Sequence, residues 1–458
     1  MAGLLVTESV RGDGGVLKNS EGKRYMFNYV PDVLRAQYAE TEEEADRWYS
    51  DPDNNRRPPE LLPRDEVARA NNAEVKAGRG SPHGGVFLDI ASRLPATPPA
   101  VRVMAFVQVS VFDAVNAITA RYPSTRVKIA APPGASVDAA VAAATRTVLL
   151  KLMPTQQAAI DADYQAALKS MPDGAAKTGG IAVGEQAAAA CLAREDGMGR
   201  PDTYRPHTTA GVYVPTLLPA VPNWGKRKPW VMAGGDQFRP GPPPGLTSST
   251  WARDYNEIKA IGAKNSTQRS PEQTAIAKFW EATAPAVYWP VARSVAAMPG
   301  RDVSENARLL AIAAMAMDDA LVAVFDAKYT YNLWRPVTAI RNGDVDGNDA
   351  TERDPSWTPF IDTPMHPEYP CAHCIVSASM GAVLEAELAG RPSPKLSSAS
   401  STAGGAVRTW AGVGEFVQEV AVARIYDGVH YRNSTEVGSA MGKKIGELAV
   451  KSFPKPIR

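Results

Sequence analysis

The chain has 458 residues, 44% of them hydrophobic and 22% charged, with 50 Lys+Arg against 49 Asp+Glu. That length admits one large or two fused units, and the even charge balance provides no global field for nucleic acid or an acidic membrane surface. Cys191, Cys371 and Cys374 are too few and too odd in number for a disulfide framework. The opening residues lack the basic patch and apolar run of a secretory leader, so the protein is expected either to stay inside the cell or to have been processed already.

Residues 1–95 are polar and broken, with an acidic run at 42–46 and the turn-rich Asp51-Pro-Asp-Asn-Asn-Arg-Arg-Pro-Pro; they read as a mostly irregular N-terminal extension, a solvated arm. Residues 96–458 read as one helical domain. Its apolar windows, 101–120 and 309–325, contain Arg102, Gln108 and Asp113 or Asp318 and Asp319, which argues against a membrane span. Ala-rich segments with apolar positions at helical spacing follow one another at 141–152, 156–168, 180–193, 305–328, 375–389 and 415–426. The proline- and glycine-rich stretch at 239–245 reads as a loop between helical layers. The fold class is therefore all-α.

Three of the five histidines, His366, His373 and His430, fall in the last hundred residues. His83 and His207 stand in loop-like sequence and read as solvated. The segment from 304 to 341 opens with Ser304 as N-cap and carries Lys328 and Arg335 seven residues apart, two turns if the helix persists, so their stems would leave one face about 10 Å apart. Pro336 places Arg335 at a kink or helix boundary. Asp318-Asp319 interrupts the same helix, either paired internally with an arginine or exposed at a bend.

The segment His366-Pro-Glu-Tyr-Pro-Cys-Ala-His-Cys runs into the amphipathic stretch at 375–389. Cys371, Ala372 and His373 thus occupy a helix N-terminus, whose free N–H groups and positive dipole end suit an anion. Further on, Arg424 and His430 flank a turn, with Asn433 and Glu436 spaced as a capping box for the next helix. Three cations, a helix N-terminus and two imidazoles form a coherent oxyanion site, with a guanidinium giving two-point bonding and an imidazole able to bind a metal or attack phosphorus. A zinc site at Cys371, His373 and Cys374 lacks a second ligand pair.

These segments resemble the vanadium-dependent haloperoxidase and PAP2 acid phosphatase superfamily, whose signature is Lys, six residues, Arg-Pro; Pro-Ser-Gly-His; and Arg, five residues, His. Here the parts stand as Lys328-Tyr-Thr-Tyr-Asn-Leu-Trp-Arg335-Pro336, Pro370-Cys371-Ala372-His373 and Arg424-Ile-Tyr-Asp-Gly-Val-His430. Trp334-Arg-Pro-Val-Thr-Ala-Ile-Arg341 and Asp254-Tyr-Asn-Glu-Ile-Lys-Ala-Ile-Gly262 look like the haloperoxidase branch, and the likeness covers roughly residues 100–450. The resemblance implies two fused helical bundles and a vanadate cofactor, with phosphate as competing anion. Lys328, Arg335, Cys371, Ala372 and Arg424 would hold it, His430 would bind vanadium and His373 would serve as acid–base. His366 matches a second histidine of bromoperoxidase-like members and so implies a halide pocket favouring bromide or iodide.

The implied reaction uses hydrogen peroxide, a halide and a small organic acceptor; the alternatives are a phosphomonoesterase on the same pocket or a repurposed non-halogenating member. No nucleic-acid or membrane partner is expected, and a homo-oligomer is left open. Two departures stand out. Cys371-Ala372 replaces Ser-Gly, substituting a weaker donor and a bulkier backbone. Ser434 replaces an acidic residue four after His430, so the bond that orients this imidazole must be weaker or come from elsewhere.

Overall fold

The computed structural model describes residues 16–18, 23–48, 51, 54–62, 67, 70, 73, 77 and 87–89, and 97–453 apart from 125–126, 170, 195–203, 206–207, 216–217, 283–285 and 390. His83 and His207 lie outside the described residues. The chain divides into two compact units, Met1–Leu94 and Pro95–Arg458.

In the first unit, strand β1 (Val16–Lys18) pairs antiparallel with β2 (Phe87–Asp89), and helix α1 spans Glu42–Trp48. Leu17, Tyr25, Met26, Tyr38, Leu61 and Leu62 cluster in its interior. Arg24 is buried there with Glu60, bonded at 2.7 and 3.0 Å, and reaches Asp46 at 2.7 Å. The expected solvated arm is therefore a unit with its own core. The sequence misleads because its apolar residues are spaced by turns and 3-10 segments rather than at a regular helical or strand period.

The second unit is helical: α2 (Thr97–Thr119), α3 (Val137–Leu152), α4 (Gln157–Lys169), α5 (Ala175–Leu192), α6 (Ser249–Ile261), α7 (Pro271–Trp280), α8 (Trp289–Ala296), α9 (Val303–Tyr331), α10 (Pro336–Arg341) and α11 (Ala372–Leu388). The hairpin of β3 (Leu396–Ser400) and β4 (Ala406–Trp410) follows, then α12 (Val413–Tyr426) and α13 (Arg432–Ser452). Helices α2, α3 and α5 pack on one another, as do α11, α12 and α13, and α9 touches both groups. Every residue of α9 from 311 to 325 is buried, the pattern of a helix surrounded by others. Among the described residues, the window 98–119 of α2 is long and apolar enough to cross a membrane, at mean hydropathy 1.5, but 61% of it is buried inside the structure, against α9.

Three local expectations change. The N-cap of α9 is Asp302, not Ser304, in a capping box with Glu305; a three-residue spacing suits that exchange of bonds and Ser304 stands too close. Helix α13 opens at Arg432 after Tyr431, without the Asn433–Glu436 box, because the Asn433 N–H is taken by Asp254 at 2.7 Å. Asp318 and Asp319 are buried: Asp318 pairs with Arg102 at 2.7 Å, and Asp319 receives the backbone N–H groups of Trp230, Val231 and Met232. They anchor the 230–232 loop rather than an arginine of the site.

Candidate functional site

Lys328 sits in the last turn of α9, which stops at Tyr331 because Asn332 takes a left-handed conformation (φ 52°) and returns its N–H to Lys328 O. Asparagine tolerates that conformation better than most residues. The chain then reaches Arg335, the N-cap of α10, with Pro336 at the first helical position. Lys328 and Arg335 thus approach each other across a chain reversal rather than along one helix face.

Lys328 Nζ donates to Pro367 O at 3.0 Å and Glu368 O at 2.7 Å, so one N–H of the ammonium has no partner among the described residues. Arg335 donates through Nε to His366 O (2.8 Å) and through Nη1 to Val429 O (2.9 Å), and lies 2.9 Å from His366 Nδ1 and 3.4 Å from His430 Nε2. Arg424 donates to Trp280 O (2.9 Å) and pairs with Asp427 (2.6 Å), while its buried Nε finds no partner among the described residues. All three cations are essentially excluded from solvent. Burial depresses Lys328 well below its ordinary value, with Arg335 adding to the effect, and burial brings Arg335 down to about 10, partly opposed by Glu368 and assisted by Arg424.

His430 is held from behind. Its Nδ1 lies 2.7 Å from Glu368 Oε1, which also accepts the Tyr431 N–H at 3.1 Å. Burial, then Arg335, Lys328 and Arg424, push His430 far below the usual imidazole range. The ring is therefore neutral, with its proton on Nδ1 toward the carboxylate and the Nε2 lone pair turned to Arg335. Glu368 is the partner that Ser434 does not supply. It stands 62 residues from His430 in sequence, and its signal is the carboxylate inside His366-Pro-Glu-Tyr-Pro. Asp427, paired with Arg424, is a second residue the pattern did not single out.

Cys371 caps α11, and Ala372 and His373 fill its first turn, where backbone N–H groups have no intrahelical partner. The expectation for Cys371 itself is corrected. Its sulfur is bridged to Cys374 and accepts the Cys374 N–H at 3.2 Å, and its own N–H goes to Ser434 O at 3.2 Å. It offers no donor to the pocket. The close approach of α13 fixes this end of α11: at Gly438 a side chain would come 2.7 Å from Cys371 O.

His373 Nε2 is buried without a partner among the described residues, and burial and then Arg424 hold its ring neutral. His366 presses its ring edge on Phe325 at 5.2 Å. The structure thus brings Arg335, His366 and His430 together by direct bonds, with Lys328 tied in through the carbonyls of Pro367 and Glu368. Arg424 and His373 join them through their mutual charge interaction and that of Arg424 with Lys328 and His430. Trp251, Tyr255, Leu333, Trp334, Tyr369 and Tyr431 pack beside this cluster and dehydrate it.

The family described as VCPO second helical-bundle domain matches residues 308–458, and the one described as FAD binding domain matches residues 1–198. Among curated relatives, a mitochondrial succinate dehydrogenase flavoprotein of Oryza sativa subsp. japonica is 34% identical over 79 residues, 17% of this chain and 9% of that protein. The L-aspartate oxidase of Caulobacter vibrioides is 35% identical over 95 residues, 21% and 12% respectively. The chain thus spans only about a tenth of the length of the curated relatives it matches.

The described strands within 1–198 form a two-stranded antiparallel pair, residues 97–192 are mostly helix, and the stretch has no Gly-x-Gly-x-x-Gly, whereas a dinucleotide is held at a parallel βαβ crevice by that glycine turn. Among solved structures, a bacterial vanadium-dependent iodoperoxidase superposes with TM-score 0.68 at 24% identity, covering 80% of this chain and 93% of its own. A holo bacterial vanadium-dependent chloroperoxidase gives 0.63 at 17%, covering 80% and 95%. Over four fifths of its length the chain therefore has the fold of these vanadium-dependent haloperoxidases.

Proposed function

We propose that the protein is a vanadate-dependent haloperoxidase that oxidises bromide or iodide with hydrogen peroxide to hypohalous acid, with a small organic molecule as acceptor. The observation that carries this reading is the cluster of three buried cations around Nε2 of His430, facing only two buried carboxyls, Asp427 beside Arg424 and Glu368 behind His430. Among the described residues, Lys328, Arg335 and Arg424 are buried with spare N–H groups, and the buried Arg424 Nε and His373 Nε2 have no partner. Buried polar atoms are rarely left so, and a tetrahedral oxyanion supplies what they lack. Vanadate fits this donor set, which combines charged N–H groups for its oxygens with one neutral nitrogen for the metal.

Lys328, Arg335, Arg424 and the N–H groups of Ala372 and His373 hold the oxygens, and His430 Nε2 takes the metal, its lone pair fixed outward by Glu368. When bound, vanadate supplies the Lewis acid that activates hydrogen peroxide for two-electron oxidation of the halide. His373 Nε2 moves a proton at the bound oxygens, its depressed basicity keeping it unprotonated until an anion balances Arg424. His366, tied to Arg335 Nη2 and facing Phe325, forms the wall that a large, soft halide meets.

The test combines purified protein with orthovanadate, hydrogen peroxide and bromide or iodide, and follows halogenation of an organic indicator. Halogenation that disappears in His430→Ala supports the proposal. The neutral, carboxylate-backed His430 equally suits attack on phosphorus, so p-nitrophenyl phosphate is run in parallel. Phosphate release inhibited by vanadate, with no halogenation, would make the protein a phosphomonoesterase, and silence in both assays a repurposed anion-binding member.

A further inference from the structure

We propose that Cys371 and Cys374 are a redox-active pair closed by small peroxides, and that their state sets how tightly this end of α11 holds an oxyanion. The inference rests on the oxyanion site described above. The bridge joins residues only three apart, the short-loop case in which a crosslink removes least entropy from the unfolded chain. Both sulfurs are fully buried, and among buried apolar residues the two cysteines cluster only with Ala421. A bridge that closes so short a loop contributes little as a staple. Its position points elsewhere.

Cys371 is the cap of the helix whose next two N–H groups belong to the proposed oxyanion site, and Arg424 of α12, 1% exposed and with no partner for Nε among the described residues, interacts by charge with His373. Bridged, Cys371 has no hydrogen to donate. Reduced, it presents an S–H donor at the position beside those N–H groups.

Chemically, the thiolate of one cysteine attacks a peroxide oxygen; the O–O bond breaks, water leaves, and a sulfenic acid forms. The second thiol attacks that sulfur, the S–S bond forms, and a second water carries off the hydroxyl and the proton. Two thiols and one hydrogen peroxide thus give one disulfide and two waters, and a dithiol reverses the change by exchange. Peroxide is the oxidant that the proposed reaction itself brings to this pocket, so excess substrate closes the pair and weakens the site.

The full chain, reduced and freed of reductant without oxygen, is treated with hydrogen peroxide, then alkylated in denaturant and read by peptide mass spectrometry, with buried Cys191 as internal reference. Phosphate binding is measured by calorimetry on the reduced and oxidised forms. The expected result is loss of alkylation at Cys371 and Cys374 alone and phosphate affinity several-fold weaker in the oxidised form. Cys374→Ser and Cys374→Ala, which cannot bridge, bind phosphate as tightly as the reduced wild type. Full alkylation after peroxide, or equal affinity in both forms, overturns the proposal. Absence of phosphate binding in every form overturns the oxyanion site itself and this regulation with it, whatever the peptides show.

Discussion

Arg24 and Arg335 are 6% and 1% exposed, yet the protein holds them on opposite terms. Burial lowers the pKa of Arg24, but the carboxylates of Glu60 and Asp46 more than offset this and raise it above its ordinary value. Arg335 meets carbonyl oxygens and imidazole nitrogens, and burial with little compensation draws it down to about 10. The first guanidinium is bonded to carboxylates of its own unit; the second is bonded to carbonyls and imidazoles and feels the carboxylate of Glu368 only through charge. Buried cations left with neutral partners cost stability, so the place where the fold accepts that cost is where a ligand belongs.

The sharpest way to break this contrast is to remove each guanidinium in turn. Arg24→Met takes from the buried Glu60 its guanidinium partner and is expected to lose roughly 3–5 kcal/mol in equilibrium denaturation, whereas Arg335→Met in the anion-free protein should cost little or even stabilise. Equal losses would erase the distinction. In binding the order reverses: charged hydrogen bonds contribute about 1.5–3 kcal/mol each, so Arg335→Met should weaken phosphate roughly 10- to 100-fold by calorimetry, while Arg24→Met leaves that affinity alone.

Ligand should repair what the fold leaves open. Phosphate or orthovanadate at a hundred times its dissociation constant is expected to stabilise the helical unit by about 2.7 kcal/mol, seen as a raised denaturation midpoint that His430→Ala and Arg335→Met diminish. No shift with either anion would count against the site.

Asp427 gives a subtler signature. Burial lifts its carboxyl from 3.8 to about 7, with Arg424 pulling partly the other way. The folded state therefore binds this proton more tightly than the unfolded chain does, and stability falls as pH rises from about 4 to about 7. The slope from one proton is at most about 1.4 kcal/mol per pH unit. Asp427→Asn should flatten that part of the urea-midpoint profile; an unchanged profile would show that Asp427 is already ionised at pH 4. The smallest effect belongs to the exposed pair Asp32 and Arg35, where Asp32→Ala is expected to change stability by less than about 1 kcal/mol.

Much of the site was legible because its chemistry is local. Lys328 and Arg335, Arg424 and His430, and the helix start at Ala372 each fall within one short segment whose residue types suit an anion. What was not legible depends on contacts across the chain. Glu368 replaces the acid absent at Ser434, but only the folding of the 366–370 stretch against the 424–430 turn brings it to His430. The stop after Tyr331 turns on one left-handed residue, Asn332, and the Cys371–Cys374 bridge on a cap geometry that a count of three cysteines cannot reveal. In the fold, helices with regular apolar spacing were evident from sequence, whereas the core around Tyr25, Tyr38 and Leu61 is assembled from segments with no such period.

The shared helix α9 has a mechanical consequence. A rod of 29 residues that is the inner wall for two packing groups ties their unfolding together, since neither can separate without exposing a side of it. The catalytic lysine candidate rides at the end of that rod, so damage to packing near Ala314, well removed from the anion, should reach the pocket as lost alignment before any bond within the pocket is touched. Heating should accordingly melt both groups in one step.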